Sequence, residues 1–104
     1  MRSVRVLAEA ARELEEAAKL YEAEQVVLGA RLLDEFQRST QLLREDSPPL
    51  LNIPGEAGKI GAKRLLLHRF PFSIVIVESQ NETVVVAVAH QSRRPGYWSE
   101  RVGT

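Results

Sequence analysis

The chain has 104 residues, of which 44% are hydrophobic and 27% are charged, and it contains no cysteine. This length predicts a single domain, residues 1–104, with a modest core, and the absence of cysteine excludes disulfides, zinc thiolates and thiol nucleophiles and fits a reducing cytosol. Because no secretory apolar segment is recognisable and no apolar run approaches the roughly 20 residues that span a bilayer, the sequence predicts a cytoplasmic protein without a membrane segment.

Charge is distributed unevenly along the chain, although the formal net charge is zero. Residues 1–58 hold seven basic and eleven acidic residues, a net charge of −4, whereas residues 59–104 hold seven and three, a net charge of +4. A positive C-terminal half suits an anionic partner. An ordinary solvated surface would have the same composition, so the charge distribution alone does not identify a function.

The N-terminal half combines one strand pattern with two helical patterns. Residues 4–7 predict a short strand, and apolar residues then recur at steps of three or four, which predicts two amphipathic helices. The predicted buried positions are Leu7, Ala11, Leu14, Ala18 and Tyr21 in the first helix and Leu28, Leu32, Leu33, Phe36, Thr40 and Leu43 in the second. A break near residues 25–29 predicts that the two helices form an antiparallel hairpin.

A loop and three strands are predicted in the C-terminal half. Residues 46–59 contain three prolines and two glycines and predict a loop. From residue 60 the period changes to two, and "KRLLLHRF", "FSIVIVES" and "TVVVAVAHQS" predict three consecutive strands. Alternation in the last strand predicts one face with Val84, Val86, Val88 and His90 and another with Val85, Ala87 and Ala89.

The element order predicts an α+β fold. An N-terminal strand is followed by an antiparallel helical hairpin and then by a three-stranded antiparallel meander that packs on the helices. No internal repeat or low-complexity tract interrupts this order.

The segment "HQSRRPGYWSER", residues 90–101, concentrates the candidate functional side chains. His90 is a candidate acid or base, and the planar guanidinium groups of Arg93 and Arg94 are suited to binding an anion. The structural alternatives are a histidine that closes a strand and an arginine that pairs with a helix carboxylate such as Glu13 or Glu16.

Aromatic residues of the same segment also have two interpretations. Tyr97 and Trp98 could stack on a nucleotide base, but a tryptophan that follows a Pro-Gly turn is also suited to packing on the sheet as a lid. Glu100 and Arg101 could form an exposed ion pair of little energetic value.

These motifs in this order resemble the RelE/ParE toxin superfamily over almost the whole chain. The resemblance lies in "RLLLHRFPF" followed by "VAVAHQSRRPGYWSER" after two helices. It implies a RelE/ParE-like fold and a toxin of a type II toxin–antitoxin system, the class that includes plasmid stabilisation proteins. It further implies growth inhibition, an antitoxin as partner, and no cofactor or metal. One branch cleaves mRNA in the ribosomal A site, and another inhibits DNA gyrase.

The endonuclease branch, as the resemblance implies, stabilises the scissile phosphate with cationic side chains and moves protons with an acid and a base. If that activity holds here, the candidate catalytic residues are Lys63, Arg64, His90, Arg93 and Tyr97. One position departs from that branch, because Ser73 stands where an arginine is expected soon after the bend that precedes the middle strand. Whether the chain is an enzyme therefore stays open.

The Ser73 departure favours a ParE-like toxin that acts by binding DNA gyrase. The candidate target-binding residues are then Arg93, Arg94, Tyr97, Trp98 and Arg101. The alternatives are a ribosome-dependent mRNA endonuclease and a toxin-like fold that has lost toxicity. In each case the resemblance implies an antitoxin, which we expect to cover the sheet edge, the helical hairpin and part of the basic tail.

Overall fold

The computed structural model describes residues 2–45 and 48–102, in which two helices pack against a five-stranded sheet. The strands are β1 (Ser3–Val6), β2 (Leu51–Asn52), β3 (Ala62–Leu66), β4 (Phe72–Glu78) and β5 (Glu82–His90), and the helices are α1 (Ala8–Glu24) and α2 (Val26–Leu43). Short 3-10 helices lie at Glu56–Ile60 and Ser99–Arg101. Neither α1 nor α2 nor any other helix of the described ranges has the length and apolar character needed to cross a membrane.

The sheet is mixed, and its strand order is β1-β5-β4-β3-β2. Strands β3, β4 and β5 form the predicted antiparallel meander. Two further strands join this meander in the sheet. β1 pairs in parallel with β5, and β2 pairs with β3. A parallel pair needs a long crossover connection, and here that connection includes the helical hairpin.

The predicted loop at residues 46–59 is only partly irregular. Residues 46 and 47 lie outside the described residues. Leu51–Asn52 forms β2 at the edge of the sheet, and a 3-10 helix begins at Glu56. Edge strands tolerate neighbouring prolines, which explains how β2 fits into a proline-rich segment.

The helical hairpin has a tighter turn than the predicted break at residues 25–29. Only Gln25 separates α1 from α2, and Gly29 is a buried residue inside α2. A Cβ atom at Gly29 would lie 2.7 Å from the carbonyl oxygen of Ala18. Gly29 therefore permits close packing of the helices and does not form the turn. Leu33, predicted to be buried, is 42% exposed because the buried stripe runs through Leu32 and Phe36 instead.

A bulge in β5 overturns the predicted alternation of that strand. Val75 of β4 pairs with Ala87, whereas the next residue, Ile76, pairs with Val85, so Val86 is an extra residue in β5. Val86 and Ala87 consequently pack in the same cluster, on the face away from the helices, which we call the tail face. An extra residue shifts the alternation of every side chain beyond it.

Each face of the sheet has its own core. The helix face packs against α1 and α2 through residues such as Leu14, Leu32 and Ile74. Trp98 lies on the tail face and is 2% exposed, in a cluster that includes Ile53. This confirms the interpretation of the tryptophan as a lid, and it fixes the chain after β5 across the sheet.

Candidate functional site

A small cleft lies at the end of β5, where the chain turns back over the tail face. Its volume is about 60 Å³. Its polar side chains come from β3, β4, β5 and the following tail: Arg64, Ser73, His90, Gln91, Arg93, Arg94 and Tyr97. We call this site the cationic cleft. It brings together three arginines that are separated by as many as 30 positions in the sequence.

Arg64 belongs to the cleft, whereas its neighbour Lys63 does not. The register pairs Arg64 with Val75 of the tail-face cluster, so Arg64 points to that face. Adjacent strand residues point to opposite faces, and the exposed Lys63 therefore lies on the other side of the sheet. The Arg64 Nε atom is buried and has no hydrogen-bond partner among the described residues. Buried polar groups usually have a partner, so this N–H is suited to an anionic acceptor.

Arg93 is exposed and stacks on an aromatic ring. Its guanidinium carbon lies 3.9 Å from the centroid of the Tyr97 ring, a cation–π contact. Its backbone N–H donates to the carbonyl oxygen of His90 over 2.9 Å, which closes the turn after β5. Arg94 is also exposed and lines both the cleft and a neighbouring groove beside Glu56.

His90 is held by the turn that follows it. Its Nδ1 atom accepts a hydrogen bond from the backbone N–H of Ser92 over 3.0 Å and lies 2.7 Å from the Ser92 hydroxyl. The neutral imidazole therefore carries its proton on Nε2. The ring also packs edge-to-face against Phe72, with centroids 5.1 Å apart.

Glu13 of α1 organises the tail: the sequence offered it as a carboxylate partner for Arg93 or Arg94, and the structure pairs it with Arg101 instead. Its Oε2 atom accepts a hydrogen bond from the Tyr97 hydroxyl over 2.6 Å. Its Oε1 atom accepts from the Val88 backbone N–H over 3.0 Å and from Arg101 over 2.9 Å. The ion partner of Arg101 is thus Glu13 and not Glu100, so the proposed exposed pair is wrong. Helical periodicity can place Glu13 on α1, but it carries no signal for the tail.

Electrostatics keep the Tyr97 phenol protonated. Burial raises its pKa above the ordinary value, and the hydrogen bond to Glu13 and the negative charge of Glu13 raise it further. The positive charges of Arg93 and Arg101 lower the pKa of Tyr97, but they offset only part of this increase. The phenol is therefore a hydrogen-bond donor to Glu13 at neutral pH and is unsuited to the role of general base.

The predicted target-binding residues differ in how much surface they present. Arg93 and Arg94 are exposed, Tyr97 is half-buried beneath Arg93, and Trp98 is buried. Arg101 is partly buried in its pair with Glu13, where its side chain is 20% exposed. Target binding by these residues stays a prediction. Within residues 2–45 and 48–102, no group of three or more acidic or histidine side chains could hold a metal ion.

Comparison with known proteins supports the predicted fold. No protein-family model matches the chain, and no curated protein matches its sequence. A solved structure described as the chromosomal ParDE TA system from P. aeruginosa contains a chain that is similar to this one, with a TM-score of 0.66 and 19% sequence identity. The match covers 86% of this chain and 96% of that chain. At this identity the likeness concerns the fold, and it confirms the predicted RelE/ParE-like fold.

Proposed function

We propose that this chain, which has a RelE/ParE-like fold, is the toxin of a type II toxin–antitoxin pair and that it inhibits growth by binding DNA gyrase. The likeness to a chain of a ParDE toxin–antitoxin system supports the toxin part of this proposal, because it extends over nearly the whole of both chains. The composition of the cationic cleft favours binding without cleavage.

The presence of Ser73 in the cleft is the observation that favours binding over cleavage. This residue lines the cleft, is 5% exposed, and stands where the endonuclease branch of the superfamily has an arginine. A serine hydroxyl carries no charge with which to stabilise a phosphorane, and such stabilisation is usually the largest single contribution to this kind of catalysis. The loss of one cation therefore favours a site that binds a target over a site that cuts RNA.

Proton transfer would be a second difficulty for RNA cleavage. The reaction needs a base for the 2′-hydroxyl and an acid for the leaving oxygen. The Tyr97 phenol is committed to Glu13, and the Glu13 carboxylate is itself held by Tyr97, Arg101 and a backbone N–H. Of the described cleft residues, His90 alone carries an imidazole. One proton-transfer group does not make an acid–base pair.

The same cleft is suited to a carboxylate from a protein target. Arg64 and Arg93 line the same cleft, and the Arg93 side chain is exposed. Arginine binds carboxylates through two parallel hydrogen bonds. An acidic side chain of gyrase would thus form a charge-assisted contact with Arg93, within the positive field of Arg64.

A second candidate function is ribosome-dependent mRNA cleavage. The observation that favours it is that Arg64, His90 and Arg93 all line one cleft, with the His90 ring turned toward Phe72 of the helix-face core at the edge of that cleft. In this reading the arginines would bind the scissile phosphate and His90 would move a proton. Lys63, on the opposite face, would take no part.

The antitoxin is proposed to cover the helical hairpin, together with the sheet edge and part of the basic tail. The helical hairpin exposes Leu20, Val26 and Val27, of which Val26 is 77% exposed. A groove of about 570 Å³ beside the hairpin is lined by Tyr21, Leu28 and Phe70 together with charged side chains that include Arg31 and Asp34. Exposed apolar side chains on one hairpin favour an interaction site there.

The deciding experiment is a DNA supercoiling assay with purified gyrase and micromolar toxin. We expect the wild-type chain to inhibit supercoiling and Arg93→Ala to inhibit it less. Arg12→Ala is the matched control, since it removes an exposed arginine from α1, outside the cleft. Its inhibition should equal that of the wild type.

A parallel induction in a bacterial host separates the two candidates. Growth arrest with intact messages, relieved by co-expression of the antitoxin, would support the binding toxin. Messages with new codon-phased 5′ ends that vanish with Arg93→Ala, together with unimpaired gyrase, would refute it and establish the endonuclease.

A further inference from the structure

β5 extends beyond the end of β1, and backbone groups on its outer edge there are not paired by any described strand. β1 follows β5 only as far as Val85, whose carbonyl oxygen accepts a hydrogen bond from the Leu7 N–H over 3.0 Å. Beyond that point the chain leaves the sheet and enters α1. The next outward-facing groups of β5 bond to side chains instead, because the Val86 carbonyl accepts from Arg101 over 3.0 Å and the Val88 N–H donates to Glu13 over 3.0 Å.

Glu13 is consequently anchored to the backbone of the sheet as well as to the tail. Oε1 accepts from the Val88 N–H and from Arg101, and Oε2 accepts from the Tyr97 hydroxyl over 2.6 Å and from Arg101 over 3.3 Å. Its side chain is only 18% exposed, so these bonds are shielded from solvent in large part. A carboxylate with three donors has little freedom to move.

The Tyr97 ring transmits this anchoring to the cationic cleft. Its hydroxyl is fixed by Glu13, and the Arg93 guanidinium stacks 3.9 Å from the ring centroid. An exposed arginine side chain otherwise samples many rotamers, which must be restricted when it binds a target. A fixed ring beneath Arg93 restricts those rotamers in advance.

We propose that Glu13 is the positioning residue of the cationic cleft: it fixes the Tyr97 ring, and the ring fixes the Arg93 guanidinium for contact with the target. Glu13 lines a neighbouring groove and not the cleft itself. The contact with the target rests on the proposed function, whereas the placement of Arg93 by Glu13 does not depend on it.

The test combines the NMR signal of the Arg93 Nε–H group with gyrase inhibition, on the full chain. A proton above an aromatic ring is shifted by the ring current, so the signal reports whether Arg93 remains stacked. The variants are Glu13→Gln, which keeps the size of the side chain but only one acceptor oxygen, and Tyr97→Phe, which keeps the ring without its hydroxyl. Glu16→Gln, an exposed glutamate on the same helix and beside the same groove, is the matched control.

We expect Glu13→Gln and Tyr97→Phe each to reduce the ring-current shift and to weaken inhibition about two- to fivefold, the range of an exposed cation–π contact. The double variant should weaken inhibition no more than the stronger single variant, since both changes break one link. Glu16→Gln should change neither measurement. Unfolding midpoints identify any variant that is not folded, and Tyr97→Phe decides the matter if Glu13→Gln does not fold.

An unchanged Arg93 signal in both folded variants would overturn the proposal. A changed signal with full inhibition would also overturn it, because the position of Arg93 would then have no effect on binding. A wild-type chain that leaves gyrase uninhibited would instead refute the proposed function, and the Arg93 signal would still support or overturn the positioning by Glu13.

Discussion

Replacement of Trp98 by alanine is expected to be severely destabilising. The side chain is 2% exposed and packs in a cluster with Ile53, Val75 and Val86. Burial of about 150–250 Å² of aromatic surface, at about 25 cal/mol per Å², corresponds to roughly 4–6 kcal/mol. Alanine retains part of that burial, and core Trp→Ala changes cost about 3–5 kcal/mol. We therefore expect Trp98→Ala to lower the free energy of unfolding by about 3–5 kcal/mol.

Urea unfolding followed by far-UV circular dichroism measures this loss without the tryptophan fluorescence that the variant lacks. Leu20→Ala is the control, because Leu20 is 73% exposed and its replacement should change stability by less than about 0.5 kcal/mol. A loss below about 1 kcal/mol for Trp98→Ala, at an unchanged denaturant slope, would show that the tail does not form a core with the sheet.

Three further predictions concern contacts outside that cluster. Arg2→Ala should lower the free energy of unfolding by about 1–3 kcal/mol, because the Arg2 side chain donates to the Thr83 hydroxyl over 3.0 Å and to the Glu82 carbonyl over 2.8 Å; denaturation at wild-type urea concentrations would contradict this. Gly29→Ala would stabilise a solvent-exposed helix. Here it should lower the free energy of unfolding by about 1–3 kcal/mol through overpacking against Ala18. A raised melting temperature would show that the hairpin can relax. Because the pKa of Tyr97 is raised in the fold, the unfolded chain releases this proton first as the pH passes about 10. The stabilisation is therefore complete below that pH and is lost above it. Urea titrations at increasing alkaline pH should show a smaller decline for Tyr97→Phe, and parallel curves for the two proteins would refute the shift.

The segment after β5 serves both the core and the proposed function. Trp98 packs on the sheet, whereas Arg93 lines the cleft. The sequence predicts both a packing role for Trp98 and a cationic surface formed by the arginines. The structure confirms that Trp98 packs on the sheet and that Arg93 and Arg94 are exposed, and target binding stays a prediction.

Local patterns in the sequence were sufficient for most of the secondary structure. The helical period predicted α1 and α2, and β-branched alternation predicted β3, β4 and β5, because both signals arise from neighbouring residues that share one face. Resemblance to a known superfamily supplied the overall fold. It also predicted a catalytic set of Lys63, Arg64, His90, Arg93 and Tyr97, of which all but Lys63 line the cationic cleft, while their role stays a prediction.

Tertiary structure alone decided the features that depend on distant residues. The parallel pairing of β1 with β5, the bulge at Val86 and the partners of Glu13 each join positions about 70 to 90 residues apart or depend on how two strands align. A carboxylate on a helix looks the same in sequence whether it faces water or an arginine of the tail. Which of the two it meets is determined by how the helices and the tail pack on the sheet, and no local pattern records that packing.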